Sequence, residues 1–242
     1  MTPPAPPGPE PEQRRARWQQ ATRIIASRYP PVDLFERVSP DKGVWDALMS
    51  AEMLVNPRIR NEVGEIHLVP PRERVSGPGA TYVMAAFTHL KPRGSRFSDG
   101  SYGVYYAGRE FETALRETAY HFGRIAADSR DGPRYEDMRV LMSRIDARFH
   151  DLETLPHASQ ERLLDPDSYA ASQPFGAWLR EAGSNGLVYP SVRHRNGRCL
   201  AAFRPKAVGL PMQTKHLQYH YDGQQVVRYF DYGDSEWHPL EL

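Results

Sequence analysis

The sequence predicts an α+β fold, with a mixed or antiparallel sheet core and flanking helices. Three observations predict it. Strand-like and helix-like segments are intermingled without a regular βαβα alternation. Residues 111–126 place apolar side chains at a clear helical period. Residues 216–229 carry a strong hairpin pattern, two strand-like runs joined by Asp222-Gly223. The 242 residues, 40% hydrophobic and 25% charged, suffice for one large soluble domain or two small ones.

Composition also excludes several classes. The formal charge is +1, so no bulk basic field draws nucleic acid. Any anion site is therefore local, and direct nucleic-acid binding is not expected. A single cysteine, Cys199, leaves no disulfide framework and no cysteine-based zinc site within one chain. The longest apolar run, residues 82–87, is too short to span a bilayer, and the N-terminus has no apolar core of a secretory signal. A cytoplasmic protein without a membrane partner is expected.

Taken in order, residues 1–11 are mostly proline with glycine and glutamate and read as a disordered tail. Residues 12–31, with Arg14, Arg15, Arg17, Trp18, Ile24 and Ile25, read as a basic N-terminal helix docked on the domain. Residues 34–39 are a strand candidate. Residues 41–54 show helical spacing at Val44, Trp45 and Leu48, with Asp41 as N-cap and Pro57 beyond the end. Residues 63–69 read as a strand, and residues 82–90 as a buried strand. Residues 92–103 are loop and 104–107 a strand. The helix at 111–126 follows, then a bent strand or two short ones over 137–151. Residues 168–182 read as a helix stopped by Gly183, with Pro174 near its start. Strands at 186–192 and 199–204 flank the turn-like Arg195-Asn-Gly-Arg198. The main domain is placed at 32–205, and residues 206–242 form a hairpin extension packed on it.

No phosphate loop, Gly-x-Gly-x-x-Gly or His-Glu-x-x-His motif is present, and no metal is expected. His216 and His220 fall on one face of a strand, which reads as a solvated face before a metal pair. Arg96 is either an exposed loop cation or a guanidinium that forks onto phosphate. Tyr106 is a core aromatic or an aromatic platform. Glu117 falls at the flank of the apolar stripe of its helix, with His121 one turn on. There it lines a cleft wall or pairs on the surface with Arg116 or Arg124. Ser191 follows Pro190 at a strand end, where a hydroxyl caps a turn or binds a phosphate oxygen. No nucleophile elbow surrounds it. Arg193 offers a phosphate contact or a structural ion pair.

Several stretches resemble the RES domain family, named for its Arg, Glu and Ser. They are Phe35-Glu-Arg37-Val, Arg96-Phe-Ser-Asp-Gly, Tyr102-Gly-Val-Tyr-Tyr-Ala107, Thr113-Ala-Leu-Arg-Glu117 and Gly186-Leu-Val-Tyr-Pro-Ser-Val-Arg193. Their order and spacing span roughly residues 32–205. The loop at Arg96-Phe-Ser-Asp departs from the Gly-Arg-Trp-Asn of many members, and the interval from Arg37 to Arg96 is long. The resemblance implies an ADP-ribosyltransferase-like fold and NAD as a substrate rather than a cofactor. It implies Glu117, Arg96 and Tyr106 as catalytic residues. Arg37 and Ser191 would bind substrate, with Arg193 added beside them. The expected reaction is cleavage of the nicotinamide–ribose bond of NAD with phosphate or water as acceptor (an NAD phosphorylase or glycohydrolase). The alternatives are a protein mono-ADP-ribosyltransferase or a non-catalytic nucleotide-binding module. A ribonuclease-type toxin fits less well, because the chain lacks a basic excess. Many relatives are toxins held by an Xre-type antitoxin. The expected partners are therefore NAD, inorganic phosphate, such an antitoxin and a second copy in a homodimer.

Overall fold

The computed structural model describes residues 8–27, 64–129 and 132–241. Arg37, the predicted strand at 34–39 and the predicted helix at 41–54 lie outside the described residues. Among the described residues the order is β1 (Gln13–Ala26), α1 (Ala80–Thr88), β2 (Tyr105–Gly108), α2 (Phe111–Asp128), β3 (Arg134–Asp151), α3 (His157–Leu163), α4 (Ser172–Glu181), β4 (Gly186–Pro190), β5 (Arg198–Ala202), β6 (Met212–Tyr221), β7 (Val226–Asp231) and β8 (Glu236–Pro239). This is the predicted α+β class.

The strands run β1-β2-β5-β4-β3-β6-β7-β8, and β1 also pairs with β3. That extra pairing closes β1, β2, β5, β4 and β3 into a ring, with β6 to β8 continuing outward from β3. The sheet is mixed: β3 and β4 are parallel, and the other pairs are antiparallel. Each ring strand sends residues inward. Trp18, Ala21, Tyr105, Ala107, Ile145, Phe149, Val188, Leu200 and Ala202 form one core, joined by Val83, Met84 and Phe87 of α1. A second core lies outside the ring, where Phe175, Trp178 and Leu179 of α4 cover Leu187, Tyr189, Cys199 and Ala201. The third packs Leu115, Ala119, Phe122 and Ala126 of α2 on Met138, Val140, Leu217, Tyr219 and Tyr221.

Three expectations are corrected. Residues 12–31 do not form a helix; Gln13–Ala26 is β1, paired along its length with β3. The register shifts between Trp18 and Ala21, so two inward side chains stand three residues apart. That bulge breaks the period of two and imitates helical spacing. Residues 82–90 are not a strand; Ala80–Thr88 is α1, burying Ala80, Val83, Met84 and Phe87. An apolar run this short fits either element, and the i, i+3, i+4, i+7 pattern decides for helix. Of the expected strand at 63–69, residues 66–68 instead make a single 3-10 turn after Gly64 at φ 67°. The proline-rich tail is anchored at its end, where Pro11 is buried and Glu10 Oε1 lies 3.3 Å from His150 Nε2.

Several other expectations among the described residues agree with the structure. Pro174 sits in the first turn of α4, and Gly183 at φ 86° follows its last turn. The segment over 137–151 is one strand. The terminal hairpin is β6 and β7, and through β3 it belongs to the same sheet as the ring.

Phe149, 1% exposed inside the ring, should be costly to truncate. Phe149→Ala is expected to destabilise the fold by about 3–5 kcal/mol, read as a lowered denaturant midpoint with little change in slope.

Candidate active site

The site grows from three adjoining pieces: the N-terminal half of α2, the β4–β5 loop, and the loop before β2. Two glycines let them meet. A Cβ on Gly108 would stand 2.6 Å from the Ala114 nitrogen, so only glycine lets α2 close onto β2. A Cβ on Gly197 would stand 2.6 Å from Thr113 Oγ1 and 2.7 Å from His194 Nδ1. The β4–β5 loop therefore presses onto α2 at a point with no room for a side chain.

That approach brings Ser191 to Glu117. Ser191 Oγ donates to Glu117 Oε1 at 2.6 Å. The same oxygen accepts the backbone N–H groups of Arg193 at 3.1 Å and His194 at 3.0 Å. The hydroxyl is thus fixed from behind, and its single proton points at the carboxylate. The buried Cys199 thiol adds a weak contact to Glu117 Oε1 at 3.7 Å. Burial, with Glu117 beside it, pushes the thiol pKa well above its ordinary value, so it stays protonated. Glu117 Oε2 faces the other way, 3.8 Å from His121 Nε2.

Arg96 is buried and docked on carbonyls. Its Nη1 donates to the Asp165 oxygen at 2.7 Å, and its guanidinium lies over the Tyr169 ring, 4.8 Å from the centroid. The Tyr106 hydroxyl donates to Ser95 Oγ at 2.9 Å and accepts the Phe97 N–H at 3.0 Å. Tyr106 therefore pins the two residues flanking Arg96. Burial is the main cause that raises its phenol to about 12, so it remains neutral. Arg193 stacks on Tyr120, 3.5 Å from the ring centroid, and donates to the Pro166 oxygen at 2.8 Å. Arg96 and Glu117 both act electrostatically on Tyr169, Tyr189 and Cys199. The structure thus brings Arg96, Tyr106, Glu117, Ser191 and Arg193 into one neighbourhood.

Sequence reasoning missed part of the cationic lining. The His121 imidazole is held down at about 4, first by desolvation and then by Lys91, Arg96, Arg193 and Arg124. Desolvation and the charge of Arg23 lower the Lys91 ammonium as well. Lys91 and His121 are both exposed. Arg23 donates to the Tyr106 carbonyl at 2.9 Å, directly beneath. Helical spacing was an available signal for Arg124, because Glu117, His121 and Arg124 follow at i, i+4 and i+7. Lys91 and Arg23 sat beside or within two of the three misread elements, α1 and β1.

Two hollows lie elsewhere. One of about 140 Å³ is lined by Tyr102, Arg180, Phe203 and Arg204. One of about 380 Å³ opens at a mouth of the ring between Arg14, Arg109, Arg198 and Phe149. Neither contains the convergent chemistry around Glu117. Among the described residues no three His, Cys, Asp or Glu side chains converge to hold a metal ion, and no helix is long and apolar enough to cross a membrane.

This mixed-sheet fold, with a serine-held glutamate beside buried arginine, defines a recognised class. The family model described as RES domain matches residues 72–222, more than half of the chain, and the chain belongs to that family. It is similar to the uncharacterized protein y4oC of Sinorhizobium fredii (strain NBRC 101917 / NGR234). The two are 28% identical over 218 residues, covering 88% of this chain and 87% of that one. A more distant likeness is to a chain in the crystal structure of the M. tuberculosis MbcT–MbcA toxin–antitoxin complex. There the identity is 14% and the TM-score 0.38, over 55% of this chain and 74% of that one.

His121 reports the desolvation of the site first and its cationic field second. Its imidazole should titrate near 4 by NMR, against about 6.5 in an unfolded chain. Between those values the unfolded state binds the extra proton, so this residue's contribution to stability is lost as pH falls through that window. Lys91→Met should move the midpoint upward.

Proposed function

We propose that the protein cleaves the nicotinamide–ribose bond of NAD. The observation that carries this reading is the Ser191–Glu117 hydrogen bond of 2.6 Å, with the charges of Lys91, Arg96, Arg193 and Arg124 all acting on the neighbouring His121. NAD carries an anionic pyrophosphate and a cationic leaving group. A site for it needs guanidinium or ammonium groups for the first and a fixed carboxylate for the charge that develops as the second departs.

In the reaction the C–N bond to nicotinamide breaks, and its electron pair leaves with the neutral base. The anomeric carbon passes through an oxocarbenium-like state and then bonds to an acceptor oxygen; water or a side-chain hydroxyl releases its proton to solvent, and an ionised phosphate oxygen has none to lose. Glu117 stabilises that state, since its attraction grows as positive charge develops on the sugar. Ser191 holds Oε1, which leaves Oε2 to meet the ribose. The arginines and Lys91 attract the pyrophosphate, with Arg96 kept in place by Tyr106 and the Asp165 carbonyl. Neutral His121 faces the same carboxylate oxygen without adding to the cationic charge. Phosphate as acceptor gives a phosphorylase, water a glycohydrolase, and a protein side chain an ADP-ribosyltransferase. Membership of the RES family supports this reading. On the same reading the protein is a toxin-like cytoplasmic enzyme with an Xre-type antitoxin as its partner.

The test is incubation of the purified protein with NAD, with and without phosphate, and mass spectrometry of the products. ADP-ribose phosphate, ADP-ribose or a mass-shifted protein identifies the acceptor; intact NAD in every arm defeats the proposal. Glu117→Gln should lower the rate about a hundred- to a thousand-fold. Ser191→Ala should cost roughly ten- to a hundred-fold, the worth of one hydrogen bond to a charged group, while the fold is retained.

A further inference from the structure

Two surface features far from Glu117 are each unfavourable in an isolated chain, and they are opposite in charge. The first lies on the β1–β3 ladder. Arg15 stands directly across from Arg148, and Arg17 across from Asp146. Like charges in opposed positions destabilise a sheet. Arg15 reaches Asp146 at 2.6 Å, with Arg144 at 3.6 Å and Arg17 at 3.9 Å from the same carboxylate. Arg148 turns to the Gln13 carbonyl instead. Three exposed guanidiniums thus share one acid, and a fourth, Arg148, has no carboxylate partner among the described residues. Leu210 and Met212 are exposed nearby, for Gly209 donates to the Arg144 carbonyl and Met212 pairs with Met142.

The second feature is the β7–β8 hairpin. Its turn, Tyr232-Gly-Asp-Ser235, holds Ser235 at φ 61°, a conformation that costs any residue with a side chain. The turn is nonetheless firmly built. Buried Asp231 accepts the Gly233 N–H at 2.9 Å, and Asp234 accepts the Glu236 N–H and pairs with His238, both at 3.0 Å. This presents Asp234 and Glu236 beside exposed Tyr232 and Trp237. Residues 222–241 carry Asp222, Asp231, Asp234, Glu236 and Glu241 against the single cation Arg228, besides His238.

We propose that these surfaces are partners in trans: the acidic, aromatic hairpin of one copy docks on the arginine patch of a second. Charge complementarity carries the pairing, and arginine with methionine against tyrosine and tryptophan is the side-chain usage of protein interfaces. The patches cannot meet within one chain, because both belong to a single hydrogen-bonded sheet that holds β8 three strands away from β3. The contact is heterologous, so it builds a closed ring or a chain of copies rather than relying on one self-complementary patch.

Sedimentation velocity of the full chain tests this at about 20 mM and about 500 mM salt, where the screening length falls from roughly 20 Å to about 4 Å. Association should rise with protein concentration at low salt and weaken at least about tenfold at high salt. The double variants Arg15→Glu/Arg148→Glu and Asp234→Arg/Glu236→Arg should each be monomeric and each keep a cooperative thermal transition, lowered by the local contacts they lose. Their equimolar mixture should associate again, which misfolded variants could not do. A parent that stays monomeric at both salts, or association that survives both reversals, overturns the proposal.

Discussion

The hydrogen bond from Ser191 to Glu117 ties together two pieces of chain distant in sequence, which also meet where Thr113 Oγ1 lies 2.9 Å from His194 Nδ1. One is a helix packed on β6; the other is a loop between two ring strands. A bond of this kind to a charged group contributes about 1.5–3 kcal/mol, but its geometric effect is larger than its energy. It converts a carboxylate on a helix flank, free to choose among rotamers, into one with a committed oxygen and an offered oxygen. The supporting structure serves that result. Gly108 admits the helix, Gly197 admits the loop, and Asn196 at φ 63° turns the chain back so that the Gly197 carbonyl accepts the Ser191 N–H at 2.8 Å. Asparagine tolerates that left-handed conformation better than most residues.

The electrostatics depend on the same arrangement. The charges of Lys91, Arg96, Arg193 and Arg124 all act on the His121 imidazole beside Glu117, so the surroundings of that carboxylate carry a positive potential. An unfixed carboxylate in such a place would swing onto the nearest guanidinium. Glu117 is instead held by a neutral hydroxyl, and Arg96 is held away by the Asp165 carbonyl and the Tyr169 ring. Opposite charges kept close but unpaired are poised to bind a ligand that carries both signs. A collapsed ion pair would have to be broken first.

Much of this was legible in the sequence, and the exceptions have physical causes. Glu117 was placed at the flank of the buried face because helix α2 is strongly amphipathic and its period is unambiguous. The β4–β5 turn was readable from Asn-Gly, and the terminal hairpin from Asp-Gly. The elements that failed lie N-terminal to Tyr105. In β1 a bulge sets Trp18 and Ala21 three residues apart on one face, and in α1 a nine-residue apolar helix offers too few turns to declare its period. The cations Arg23 and Lys91 were lost with them. Tyr106 was read as a platform or a core ring; its hydroxyl bonds, which anchor the Arg96 loop, depend on a tertiary contact that no local pattern encodes.

The family match begins at residue 72, after β1, and ends at 222, before β7. In this chain the matched stretch is not a complete fold. Without β1, strand β3 would lose its ladder partner from Met138 to His150, and the ring would open between β2 and β3. Tyr105 and Ile145 would then face water, and Arg23 would no longer brace the Tyr106 carbonyl under the site. The candidate site lies in the matched region, but part of its support comes from a strand upstream of it.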